Sequence, residues 1–197
     1  MKKKGLALVL ALALMVVGAV AGTLAWLTAK SDTVTNTFTT SDITVKLEET
    51  KGTSVTGGKE FKMIPGYTIS KDPTVTVLTG SEECYLFVKL EKSQNFDDYM
   101  TYEMADGWTV VPGETNVYYR VVDGTNNKIG TPYSVLKGDK VTVKDTVTKE
   151  QMNALDNGTA AKPTLTITAY ASQLYKSAGV KFTPAEAWAK VNPTTNP

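Results

Sequence analysis

The chain has 197 residues, with 21 basic and 20 acidic side chains, a single cysteine and no histidine. The near-neutral balance argues against electrostatic capture of nucleic acid or anionic lipid, and a lone Cys84 excludes an intramolecular disulfide. Without histidine there is no Ser-His-Asp or Cys-His arrangement and no H-E-x-x-H zinc site, so the residues point away from an enzyme.

Lys2, Lys3 and Lys4 precede an uncharged run from Gly5 to Leu27, and Lys30 follows. A basic start before an apolar stretch has the form of an export signal, because the lysines stay cytoplasmic while the apolar part enters the bilayer. Thr23 and Ala25 are small residues at the two positions a signal peptidase reads, so cleavage is expected between Ala25 and Trp26. The run is also long enough to cross a hydrocarbon core of about 30 Å, which leaves retention as an anchor as the alternative. Residues 1–25 are then the leader and 26–197 one domain outside the membrane, which the leader alone touches. Without the three leader lysines, 18 basic side chains face the 20 acidic ones.

Beyond the leader, Thr- and Val-rich segments alternate with period two, the mark of half-buried strands. Strands are expected over Thr33–Thr39, over Asp42–Glu48 with Ile43, Val45 and Leu47 inward, and over Glu60–Ile64. Glu49–Lys59 reads as a loop and Pro65-Gly66 as a turn. Pro73–Thr79 alternates again, and Cys84–Glu91 is the most apolar strand, expected at the centre of a sheet. Gln94–Met104 is open between a short helix and a loop. Asn116–Val122 and Tyr133–Leu136 read as a hairpin with the long tip Asp123–Pro132. Lys140–Val147 and Thr164–Leu174 are further strands. Thr148 and Thr183 are expected N-caps of two helices, with Gln151 and Glu186 completing capping boxes and Pro184 at the first helical position. These elements indicate an all-β fold, an antiparallel sandwich of jelly-roll type with two short helices.

Several segments together resemble the TasA/camelysin family of exported Gram-positive matrix proteins. They are Gly22-Thr23-Leu24-Ala25-Trp26-Leu27-Thr28, Asn36-Thr37-Phe38-Thr39, Asp42-Ile43-Thr44-Val45-Lys46-Leu47, Pro65–Pro73, Ala169–Gln173 and Ala185–Trp188. The resemblance implies release by a signal peptidase of the SipW type and a jelly-roll subunit of extracellular matrix or surface fibres. Tyr67 departs from it, standing where the family often has Asp after Pro-Gly. Metallopeptidase activity, attributed to some relatives, is not carried over to a chain without histidine, and no cofactor is expected.

Signal removal would leave Trp26–Thr39 as an extended, β-prone arm, with Trp26, Leu27, Val34 and Phe38 as anchors. Such an arm can pair along an exposed sheet edge of a sister subunit, and a head-to-tail contact of that kind does not close, so it builds a filament. The same segment can instead pair within its own domain. A monomeric surface module that binds glycan or a host protein is the alternative function. Other features have bland readings. Cys84 reads as a buried small hydrophobe. Asp97-Asp98 and Asp123-Gly124 with Asn126-Asn127 read as solvated loops rather than a calcium site. Trp108, Trp188, Tyr118, Tyr119 and Tyr170 read as packing rather than a sugar platform, and Asn192–Asn196 as a chance match to a sortase pattern.

Overall fold

The computed structural model describes residues 42–125 and 127–192. The leader, the strand expected over Thr33–Thr39, Asn126 and the stretch 193–197 lie outside the described residues. Among those residues the chain is all-β: antiparallel strands in several sheets, with three short helices. No described helix is long and apolar enough to cross a membrane.

The centre is β6 (Cys84–Lys92), as its apolar run predicts. It pairs antiparallel with β12 (Leu165–Gln173) on one side and β9 (Val117–Val122) on the other, and β8 (Thr109–Val110) extends the sheet beyond β9. Both faces of β6 are covered, which is why its sequence is nearly continuous in apolar residues. Cys84, Leu86, Val88 and Leu90 enter the main core, while Tyr85 and Phe87 pack in a second cluster beneath Trp188 and Ala187.

A second set of strands faces the first across the main core, through Val75, Val77, Val141 and Val143. Here β5 (Thr74–Val77) pairs with β1 (Val45–Glu48) and β10 (Pro132–Ser134), while β11 (Lys140–Val143) pairs with β4 (Thr68–Ser70) and β7 (Met100–Thr101). Bonds from Val135 N–H to Pro73 O (2.9 Å) and Lys71 N–H to Asp139 O (2.8 Å) join these sheets into one ribbon. The interruption is a tight turn at Lys137–Asp139, where Gly138 and Asp139 both have positive φ (64° and 52°). A small hairpin, β2 (Thr53–Val55) with β3 (Gly58–Glu60), and a second one, β13 (Tyr175–Ser177) with β14 (Val180–Lys181), complete the strands.

The two expected helices form with their caps. In α2 (Lys149–Asp156) Gln151 N–H donates to Thr148 Oγ1 and Thr148 N–H to Gln151 Oε1; in α3 (Pro184–Val191) Thr183 and Glu186 do the same. The ambiguous Gln94–Met104 stretch holds a third, α1 (Phe96–Tyr99), which buries Phe96 and Tyr99. α3 lays Trp188 on the second cluster, so its cap has a tertiary effect. Thr183→Ala is expected to cost about 1 kcal/mol, a drop of roughly 2–4 °C in melting temperature for a domain of this size.

Four expectations fail. Asn116–Val122 and Tyr133–Leu136 do not form a hairpin. β9 is already flanked by β6 and β8, so β10 pairs with β5 instead, and Asn127 Nδ2–H to Val121 O (2.8 Å) folds the intervening loop back. Leu47 was expected inward and is 37% exposed, because β1 lies at the end of its sheet. The Glu49–Lys59 loop contains the β2–β3 hairpin, whose three-residue strands are too short to show a period, and the strand expected over Glu60–Ile64 ends at Glu60.

Candidate assembly surface

The residues singled out for export and assembly, Thr23, Ala25, Trp26, Leu27, Val34 and Phe38, lie outside the described residues. What the described residues contain is the kind of edge such an arm would meet. Thr164 O accepts from Ser93 N–H (2.9 Å) and Leu174 N–H donates to Glu83 O (3.2 Å), so the even-numbered residues of β12 turn their main-chain groups toward β6. By strand alternation, the N–H and C=O groups of Leu165, Ile167, Ala169, Ala171 and Gln173 point away from β6. Among the described residues no strand pairs with that side. None of the nine residues of β12 is charged and none is proline, so two of the usual protections of a sheet edge are missing.

β1 runs beside β12, with no hydrogen bond between the two strands among the described residues. Thr44 O accepts from Leu78 N–H (2.9 Å), so in β1 the even residues face β5 and the main-chain groups of Val45 and Leu47 face the other way. The result is a seam between the edges of two sheets. β1 is held at both ends: Glu82 N–H donates to Asp42 O (3.2 Å) and Thr44 N–H to Ser81 Oγ (3.0 Å) at its start. Past its end, Lys71 Nζ pairs with Glu49 at 2.8 Å while lying over the Phe61 ring. Asp72 accepts from Thr50 N–H, Thr50 Oγ1 and Lys51 N–H at 3.0, 2.5 and 2.9 Å. The Lys71-Asp72 pair that carried part of the family resemblance is therefore a latch on the segment following β1.

Burial raises the Asp72 pKa, but these hydrogen bonds lower it further, to a net position below the ordinary carboxylate value. A depressed carboxyl pKa contributes stability that is present above the unfolded value near 4 and is lost as pH falls through the folded one. In a melting series at falling pH, wild type should lose this contribution below about pH 4. Asp72→Asn, lacking the anionic acceptor throughout, should change less over the same interval.

At the Asp42 end the seam opens into a groove of ≈ 490 Å³, lined by the apolar Ile43, Ala171, Phe182 and Val191 and by the polar Asp42, Ser172, Gln173 and Lys190. α3 supplies Lys190 and Val191 from its last turn.

The remaining candidates have structural roles. Cys84 is fully buried, and burial pushes its thiol pKa up to about 12. A thiol so far from ionising is a poor nucleophile, so a thiol reagent should leave the native protein unlabelled and modify Cys84 only after denaturation. The aromatics do not share one platform. Trp108 and Tyr118 pack against the main core, whereas Trp188, Tyr119 and Tyr170 belong to the second cluster. Tyr170 meets Trp188 edge-on at 5.1 Å, and Trp188 Nε1–H donates to Glu114 (3.0 Å). Asp97 pairs with Lys92 (2.6 Å), and Asp123 accepts from Thr125 N–H (3.1 Å). Among the described residues no three His, Cys, Asp or Glu side chains gather as metal ligands.

Arg120 is the residue that sequence reading missed. It is 9% exposed, with its guanidinium 5.0 Å from the Trp108 ring and 4.3 Å from the Tyr133 ring. It donates to Asp106 O (2.6 Å) and Asn127 Oδ1 (3.2 Å). This stack ties β9 to β10 across the side of the core opposite the seam, where Trp108 Nε1–H also donates to Ser134 O (2.8 Å). The available signal was that it is the one arginine in a chain whose other cations are all lysine.

No protein-family model, curated protein or solved structure matches the chain.

Proposed function

We propose that the protein is an exported, non-enzymatic structural subunit of an extracellular matrix or surface fibre, a jelly-roll sandwich whose N-terminal arm adds as a strand to a sister molecule. The observation that carries this reading is the nine-residue, uncharged outer edge of β12. Main-chain groups in such an edge are a template for an incoming strand, and the alternate side chains of Trp26–Thr39 supply what that strand would bury. Each anchor among Trp26, Leu27, Val34 and Phe38 contributes about 1.5–3 kcal/mol if fully desolvated. Removal of the leader between Ala25 and Trp26 by a SipW-type signal peptidase is the switch in this scheme, because an arm still joined to a membrane-inserted segment cannot reach a neighbour freely. The partner is a second copy; no nucleic acid or cofactor takes part.

Electron microscopy of the chain beginning at Trp26, beside the same chain lacking Trp26–Thr39, tests the scheme. Filaments from the first alone support it. Equal filaments from both remove the arm as connector, and a strictly monomeric first chain favours the glycan- or protein-binding module instead.

A further inference from the structure

The turn Ile64–Tyr67 is the most exposed apolar feature of the described chain, with Ile64 55% and Tyr67 66% exposed. It is rigid. Tyr67 N–H donates to Ile64 O (3.0 Å), Pro65 sets the first corner and Gly66 the second at φ +80°, the requirement of a type II turn. Gly66 N–H to Val143 O (3.2 Å) and Val143 N–H to Tyr67 O (2.9 Å) clamp it to β11. The turn and the groove beside Asp42 lie at opposite ends of the domain. The ribbon from Thr68 to Val77 runs between them, and its β5 end pairs with the start of β1. At about 3.3 Å per residue that separation is roughly 30 Å, so one molecule's turn cannot enter its own groove.

We infer that the Ile64–Tyr67 turn of one copy seats in the groove between β1, β12 and α3 of the next, a head-to-tail contact between sister molecules separate from the arm. Ile43, Ala171, Phe182 and Val191 give the groove apolar surface for the apolar turn. Each surface carries one acid and one base, so two ion pairs can form across the contact. Lys62 and Asp145 flank the turn, Asp145 packing beside Gly66. Asp42 and Lys190 flank the groove. None of these four is in an ion pair among the described residues. A contact between different surfaces at opposite ends is head-to-tail, and it propagates as a filament where its rotation does not close a ring. The contact patch is small, at the weak end of specific interfaces, so it orients and reinforces a fibre rather than building one alone.

This inference rests on the fibre reading, and its test separates the two. Assembly of the chain beginning at Trp26 is followed by sedimentation against concentration, beside Ile64→Ser/Tyr67→Ser, Asp145→Lys, Asp145→Lys/Lys190→Glu and the arm deletion, with melting confirming that each folds. The serine pair and Asp145→Lys should each raise the concentration needed for assembly about tenfold or more, and adding Lys190→Glu to Asp145→Lys should restore it. Wild-type assembly by the serine pair, or no rescue by Lys190→Glu, overturns the turn-in-groove contact and leaves the fibre reading standing. In that case loss of assembly on arm deletion alone identifies the arm as the connector. A chain beginning at Trp26 that stays monomeric at every concentration overturns both.

Discussion

Arg120→Ala is expected to lower the stability of the domain by about 3 kcal/mol, read as a fall of roughly 6–12 °C in melting temperature at 2–4 °C per kcal/mol. The guanidinium is desolvated between Trp108 and Tyr133 and has no carboxylate in ion-pair range among the described residues. Burial accordingly lowers its pKa, although arginine stays charged. Its favourable partners are the two rings, Asp106 O and Asn127 Oδ1, and alanine removes all four while leaving a void. The surroundings are built around it: a Cβ on Gly107 would lie 2.5 Å from Arg120 Nη2. Arg120→Met should cost less than alanine, because it keeps much of the volume and removes the buried charge. Arg120→Lys should not restore wild-type stability, since an ammonium neither stacks nor reaches both acceptors as a planar fork does. An alanine variant melting together with wild type would show that the two sheets are held together elsewhere.

Ala169→Pro is expected to abolish assembly, raising the concentration required by more than about 100-fold, with only a small change in melting temperature. The reason lies in strand parity. The Ala169 N–H points away from β6, so proline there deletes no bond of the β12–β6 ladder, while it removes a donor from the outer edge and blocks an incoming strand. Thr168→Pro is the contrast. Its N–H faces β6, opposite Lys89, so it should cost about 3 kcal/mol or more. Assembly unaffected by Ala169→Pro would mean that the outer edge of β12 takes no strand.

The elements legible in the sequence are those whose pattern is local. The apolar run of β6, the alternation of β5 and β12, and the capping boxes at Thr148 and Thr183 each announce themselves within a few residues. Pairing was not legible, because β9 and β10 carry alternation that would suit a hairpin equally well. Only the presence of β6 and β8 on both sides of β9 sends β10 to the other sheet. The β2–β3 hairpin is too short for a period to show, and Leu47 follows the inward pattern but sits at a sheet end. The seam was invisible for a related reason. Its edge character is a property of what, among the described residues, does not pair with β12, although the absence of charge in Leu165–Gln173 is read directly. Lys71-Asp72 stands out in the sequence only within the resemblance, and its physical role is to hold Glu49, Thr50 and Lys51.

The claim tested most directly is that the liberated front end of one molecule becomes a strand of the next. Hydrogen exchange at the outward amides of β12 reads this residue by residue, in the chain beginning at Trp26 and in the same chain without Trp26–Thr39. Protection of Ile167, Ala169 and Ala171 should appear with assembly in the first and be absent in the second. Amides that exchange alike in both chains while filaments form would contradict the account.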